Sequence, residues 1–568
     1  MKKFSTILRV MLVLVTLTAV IPASAQYGSR GDKRYRDRYS RANTYGDVVE
    51  LRLSDAGTLK EKMPAGMVDR VRLLRIEGPM NSKDFAYIKE LCSRSRCYDN
   101  RDKKVDNYID LELERVRIIS AGTKGLFGDN GERDVLGDAL SHATHLRSIV
   151  LPERTKRIAS DALRGCYELE EVIMPPGVRS LGNHAFDGCS RLEYITLSEN
   201  IETIGRECFN GCTRLRSVNL PRSLVEVGER AFRGTGLQRV TLPYGLEQLG
   251  ANAFENTQIV NLDLPATTRI ADNALGIMDK LEAVTVENGS RYYTHDDGVL
   301  YDNTGKVLLC CPAGRQGAME VPDGVEALAS RSFTHSRLSS VTLPDGLREI
   351  GPAAFYLARQ LRTINIPASV TDIGEEAFGE CEKLQQIDLP GVTRLGKKAF
   401  IDCHALQSAR LAAITVVPQS AFQGCGALTI MILPDEITAI GDGAFKNCKS
   451  LTAIDLPAGL TAIGKEALRG CLSLTEVDLG NKLVSLGDNA LRETSITTLV
   501  IPESVTKIGK KITEKCKNLT RIECHAVLPP ALDKESNNKV DLYVPAPSVN
   551  AYRSAKTWKN FKNIYPLE

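Results

Sequence analysis

Histidine is scarce in this chain, seven in 568 residues, and tryptophan occurs once, at Trp558. There is no G-x-S-x-G elbow, no Walker phosphate loop, no H-E-x-x-H and no C-x2-C pair, so the short signatures of serine hydrolysis, nucleotide binding and zinc chemistry are missing. His142 and His145 make the one pair at helical spacing; with no third ligand beside them they read as a surface-helix pair rather than zinc ligands. His295-Asp296-Asp297 lacks the alternating oxygens of a calcium loop and reads as a turn. Cys403-His404 and Cys524-His525 are sequence neighbours whose side chains diverge, so neither is a nucleophile pair. These absences predict a non-enzymatic protein with no catalytic residue, no metal and no cofactor.

A dominant charge is missing too. Lys and Arg number 73 against 70 Asp and Glu, a net charge of +3, so nothing drives a global attraction to nucleic acid or anionic membrane. Long apolar runs are limited to Val10–Ile21, too short for a comfortable membrane span. Lys2 and Lys3 precede this run and Ala23-Ser24-Ala25 follows it, the pattern of a secretory signal peptide over residues 1–25. The mature chain is expected to start at Gln26, where a bacterial lipoprotein would carry cysteine. No transmembrane segment or covalent anchor is predicted, and the expected location is secreted, cell-surface or periplasmic.

What the sequence does contain is repetition. A phrase such as "LRSVNLPRSLVEVGERAFRGT" recurs every 21 to 23 residues, the mark of a solenoid. Sixteen units align on Leu140, Leu163, Phe186, Phe209, Phe232, Phe254, Leu275, Phe333, Phe355, Phe378, Phe400, Phe422, Phe445, Leu468, Leu491 and Thr513. The segment L-x-x-V-x-L predicts a short strand with inward aliphatic side chains, and the proline after it ends that strand. An I-G pair then marks a corner, at Gly182, Gly374 and nine equivalents, where positive φ or close backbone approach calls for glycine. Ala159, Ala271, Ala329 and Pro418 replace it elsewhere. Ten of the fourteen phenylalanines occupy the anchor, which assigns them to a buried ladder, because units of this length bury their apolar face only by stacking.

The L-P, I-G-x-x-A-F and G-C punctuation over residues 124 to 525 resembles the BspA-like leucine-rich repeat family. "DGVLYDNTGKVLLCCPAG" (Asp297 to Gly314) is similar to a hairpin insertion common in that family, and "LYVPAPSVNAYRSAKTWKNFKNI" (Leu542 to Ile564) to its closing segment. The predicted fold is an α/β repeat solenoid, a leucine-rich-repeat-like array of short parallel strands and turns with terminal caps. Its expected divisions are a signal peptide (1–25), a disordered basic linker (26–46), an N-terminal capping domain (47–123), a first half-array (124–286), a β-hairpin insertion (287–319), a second half-array (320–525) and a C-terminal cap (526–568). The linker interleaves six Arg or Lys with tyrosines; it reads as a solvated spacer, with contact to anionic glycan, nucleic acid or lipid as the other option. Nine of the fifteen cysteines lie three residues past the anchor, where Thr235, Thr257, Met278, Ser336 and Ala358 also occur; they read as compact buried thiols. Cys92 and Cys97 stand outside that series, and whether they form a disulfide is open.

The residue between the two inward strand positions should line one exposed face in rung order. Thr196, Asn219, Thr241, Asp263, Thr342, Asn365, Asp388, Arg410, Asp455 and Asp478 on this line are the candidate binding face. Solvation of an open sheet accounts for such residues equally well. Asp388 and Arg410 are placed to pair, whereas Asp455 and Asp478 set like charges one rung apart. The resemblance implies a bacterial surface protein that binds a protein or glycan, in adhesion to host matrix or to other bacteria; the alternative is a structural or assembly protein of the cell envelope.

Overall fold

A computed structural model of the chain describes residues 48–93, 108–119, 134–532 and 539–567. The expected signal peptide, basic linker and Cys97 lie outside the described residues. The described part is a parallel-strand solenoid of about 21 turns.

Most units contribute two strands rather than one. The L-x-x-V-x-L segment forms the longer, as at Leu146–Val150, Gln386–Leu389 and Thr498–Ile501. The two residues before the corner form a second, short strand, as at Ser180–Leu181, Thr203–Ile204 and Glu226–Val227. Both kinds stack in parallel and in register, Thr203 opposite Ser180 and Glu226. The A-F-x-G-C segment makes a third ladder from turns. His184, Phe186 and Gly188 donate their N–H groups to the carbonyls of Arg206, Cys208 and Asn210 in the next unit, each at 2.8 Å. Backbone polar groups on all sides of the coil thus find partners one rung away, which is what a buried backbone requires.

The corner glycines are there for close approach. Gly374 is not in the positive-φ region; a Cβ on it would lie 2.4 Å from Pro352 N and 2.7 Å from Gly351 C, distances only a missing side chain permits. The left-handed positions fall two residues either side of the anchor and are filled mostly by other residues, for example Glu376 (φ 55°) and Glu380 (φ 56°) around Phe378. Bonds such as Glu376 N to Lys397 O at 3.0 Å and Glu380 N to Ile401 O at 2.8 Å hold them there, offsetting the roughly 1–2 kcal/mol cost of that conformation.

The helical component expected of an α/β array is confined to the ends. Among described residues the α-helices are Leu59–Lys62, Ser82–Ser93 and Val549–Ser554; within the array the returns are turns, because a unit of 21 to 23 residues holding two strands has no length left for a helix. His142 and His145 accordingly lie in turns, His142 left-handed at φ 60°, with His145 Nδ1 2.9 Å from Cys92 O. Asn81 caps the Ser82–Ser93 helix, its Oδ1 accepting from Lys83 N at 2.9 Å. The Asp84 carboxylate in that helix is buried and accepts from the backbone of Gly57, Leu59 and Asn81.

The terminal elements extend the long-strand sheet. Val48–Arg52, Leu73–Met80 and Ile109–Glu112 run parallel into Leu146–Val150, and Asp541–Val544 and Asn563–Pro566 follow Arg521–Cys524. Trp558 is buried, donating Nε1–H to Pro530 O at 2.9 Å and meeting Tyr552 edge-on at 5.2 Å.

The anchor phenylalanines are buried and stacked. Phe186, Phe209, Phe232 and Phe254 follow at 5.1, 5.2 and 5.5 Å between ring centres; a second run, Phe333 to Phe445, is spaced 4.6 to 5.7 Å. The cysteine slot does more than fill space. Cys212 Sγ lies 3.2 Å from Phe186 O and Cys403 Sγ 3.1 Å from Phe378 O, so each thiol donates to the preceding unit's anchor carbonyl. Thr235 and Thr257 instead donate to their own unit's anchor carbonyl at 2.8 Å. A hydrogen to give is thus used at these positions but not required, since Met278 and Ala358 fill the same slot, buried. Burial pushes the Cys166 and Cys471 thiols up to about 12.

Two cores meet at the insertion. One runs from Val49 to Leu300 and the other from Val299 to Ile564. The insertion holds three antiparallel strands, Tyr293–Asp296, Val299–Asp302 and Val307–Cys310, with two turns where the sequence suggested one. Asp297 (φ 44°) and Gly298 (φ 72°) make the first, the paired positive φ of a tight hairpin turn. Along the middle strand Val299 and Tyr301 enter the second core and Leu300 the first. Val307–Cys310 then starts the second array's short-strand sheet by pairing with Ala327–Leu328. Across the join Gly314 N donates to Leu281 O at 2.7 Å, and Tyr293 Oη accepts from Ile270 N at 3.0 Å.

Candidate binding face

Alternation along each long strand decides what this face presents. In Gln386–Leu389 the side chains of Ile387 and Leu389 are buried and those of Gln386 and Asp388 exposed. The ten candidate residues, Thr196, Asn219, Thr241, Asp263, Thr342, Asn365, Asp388, Arg410, Asp455 and Asp478, are all exposed. Register holds them in order where strands are paired: Thr196 is opposite Ile173, Asp263 opposite Thr285, Glu320 opposite Thr342, and Asp388 opposite Arg410. Asn219, Thr241, Asp455 and Asp478 lie on rungs with no assigned long strand, so the face has two relaxed stretches.

The candidates differ in how much hydrogen bonding they keep for a partner. Asn365 is used internally: its Oδ1 accepts from Leu343 N at 2.8 Å and its Nδ2 donates to Leu343 O at 3.1 Å. Asp263 accepts from the Thr285 hydroxyl, and Asp478 from Gly480 N at 2.9 Å. Arg410 and Asp388 approach to 3.8 Å with 59% and 58% of their side chains exposed, a contact water competes with readily. By contrast the turn side is knitted by ion pairs. Arg233 reaches Glu255 at 3.3 Å, and Glu466 is gripped by Lys446 at 2.7 Å and Arg469 at 3.0 Å; these cations hold the Glu466 carboxyl below the usual range, the Lys446 hydrogen bond most.

Two features of the face carry no pattern in the repeat. At its carboxyl end the column continues Val500, Glu523, Tyr543, Tyr565, with Arg521 stacked on Tyr543 at 3.6 Å and the two tyrosine rings 5.4 Å apart. Further back, the strand Ile430–Ile432 turns both isoleucines to solvent. Period-two alternation sets Ile430 on the same side as Ile432, two residues on along the strand. Among the described residues no group of three or more His, Cys, Asp or Glu is arranged to hold a metal ion, and no helix is long and apolar enough to cross a membrane.

Set against known families, residues 137–261, 203–296, 316–429 and 415–528 match the BspA type leucine rich repeat region. The chain belongs to that family. The BspA-type units account for more than half of its length and cover both half-arrays. A leucine rich cell surface protein from Faecalibacterium prausnitzii is similar at 30% identity over 50% of this chain and 79% of its own, with a TM-score of 0.46. A leucine-rich repeat protein from Bacteroides ovatus is similar at 24% identity over 74% and 92% of the two chains, with a TM-score of 0.42. One from Eubacterium ventriosum shows 21% identity over 62% and 89%, with a TM-score of 0.47. No curated protein matches the chain.

Proposed function

We propose that this BspA-type chain is a non-enzymatic, exported scaffold of a bacterial surface, binding a protein or glycan partner through its long-strand face in adhesion to host matrix or to other bacteria. The observation that carries this reading is the exposure of all ten line residues on one side of the array. The turn side, where charge is spent on internal ion pairs, offers less to a partner. A flat sheet with hydroxyl, amide and carboxylate groups at one per rung suits an extended partner that makes many weak contacts rather than one deep one. The terminal elements act as caps over the ends of the solenoid, as open arrays need. The family's place at bacterial surfaces supports the location, and the Lys2-Lys3, Val10–Ile21 and Ala23-Ser24-Ala25 pattern supports export.

The test is binding of the full mature chain to a panel of extracellular-matrix proteins and an immobilised glycan array, compared with a variant carrying Asn219→Ala, Thr241→Ala, Asp388→Ala, Arg410→Ala and Asp455→Ala. Asn365 is left intact because it ties two rungs together. Loss of binding with an unchanged circular dichroism spectrum is the expected result; unchanged binding removes the long-strand face from consideration.

A further inference from the structure

We propose that the long-strand face has a focal docking site at Ile430 and Ile432 for a protein segment that carries an aliphatic or aromatic side chain beside lysine or arginine; this rests on the reading of that face as the binding surface. Within the strand, Met431 points inward at 7% exposure while Ile430 and Ile432 are 55% and 50% exposed. Other described rungs place polar, charged or small side chains in at least one of the two outward positions, such as Ser408 and Arg410 or Gln386 and Asp388. Two large aliphatic side chains held side by side in water gain by being covered.

The surroundings specify what covers them. Arg410 stands opposite Ile432 and Ser408 opposite Ile430. On the other side the short strands advance by 23 residues, Ala439 opposite Ala462 and Ala462 opposite Ser485. That offset sets Asp455 one rung beyond Ile432 and Asp478 two rungs beyond. Glu476 shares the rung of Asp478 and is exposed with it. The rim thus holds four carboxylates, Asp388, Asp455, Glu476 and Asp478, against one guanidinium, Arg410, which already faces Asp388 at 3.8 Å. An apolar centre in an acidic rim attracts a cationic segment and orients it. It disfavours sulfated or sialylated glycans by like charge, and neutral sugars gain no hydrogen bond from isoleucine. Strand pairing also stops here: Ile430–Ile432 pairs with Ser408–Leu411, and residues 451–456 carry no strand.

The experiment selects a phage-displayed random dodecapeptide library on the immobilised full mature chain, then measures the enriched synthetic peptides against variants. Enrichment of peptides that combine Lys or Arg with Leu, Ile or Phe is expected. Ile430→Ser with Ile432→Ser should weaken them about tenfold or more. Asp455→Asn with Asp478→Asn should weaken them and flatten the salt dependence. Glu226→Ala with Gln248→Ala, exposed on the short strands and away from the long-strand face, should leave affinity unchanged. All six positions are exposed, and equal urea midpoints check that the variants fold. Failure to enrich such peptides, or binding indifferent to the isoleucine pair, overturns the proposal. A further variant, Thr196→Ala with Asn219→Ala, separates the two readings: should it abolish binding while the isoleucine pair does not, the face remains the binding surface and only this focus on it fails.

Discussion

Truncating one rung of the phenylalanine ladder gives the sharpest test of what holds the array together. Phe378 is buried between Phe355 at 5.0 Å and Phe400 at 5.1 Å, with interplanar angles of 4° and 5°. Its backbone is tied by Phe378 N to Ala399 O at 2.8 Å and by the Cys403 thiol on its carbonyl, so truncation leaves a void rather than a collapse. Phe378→Ala should cost about 3–5 kcal/mol, the range for a large core side chain replaced by alanine. Phe378→Leu separates the terms, because leucine already fills this slot, buried, at Leu163, Leu468 and Leu491. It keeps most of the apolar burial and loses two ring pairs worth about 0.5–1.5 kcal/mol each, for a net cost of about 1–2 kcal/mol once leucine's own contacts are counted. The assay is urea unfolding followed by circular dichroism, with hydrogen exchange resolved by peptide. Since each unit touches only its neighbours, accelerated exchange should be confined to the units of Phe355, Phe378 and Phe400. A cost below about 1 kcal/mol for alanine, an equal cost for leucine, or exchange spread evenly over both cores would refute this account.

The corner glycines should discriminate sharply. Gly374→Ala drives a Cβ to 2.4 Å from Pro352 N and should cost about 1–3 kcal/mol, whereas Gly346→Ala meets nothing within 4 Å and should be neutral or stabilise by about 0.4–1 kcal/mol in the same urea assay. Burial raises the Cys471 thiol from 9.0 to about 12, so in alkali the unfolded thiol ionises while the folded one cannot. Its contribution to stability is therefore full below pH 9 and is lost as pH rises towards about 12, with a slope of up to about 1.4 kcal/mol per pH unit that Cys471→Thr should abolish. Asp84→Ala strips three backbone N–H groups of their acceptor and should lower stability by about 3 kcal/mol, read from the urea midpoint. Arg410→Ala, which removes a water-exposed ion pair, should change it by less than about 0.5 kcal/mol.

The long-strand sheet, the anchor ladder and the outward line were legible because each rests on a side-chain type repeated in one place. The second strand was not, since two residues before a glycine carry no alternation to read. The left-handed sites were hidden for a related reason. His184, Glu207 and Lys398 share that backbone conformation without sharing chemistry, because bonds to the next rung, not local preference, impose it. The cysteine slot was read as volume alone. The donor role of its cysteines was hidden, because their acceptor is an anchor carbonyl some 25 residues back. On the face, periodic reading favoured uniformity and so passed over the rung at Ile430 and the Arg521–Tyr543 stack, where the repeat departs from itself.

The middle strand of the insertion, with Val299 and Leu300 committed to different interiors, works as a splice between two stacks that are free to change length separately. Duplicating or deleting a module away from this joint adds or removes one layer without disturbing the joint's own packing. The span of the molecule is in that sense set by copy number.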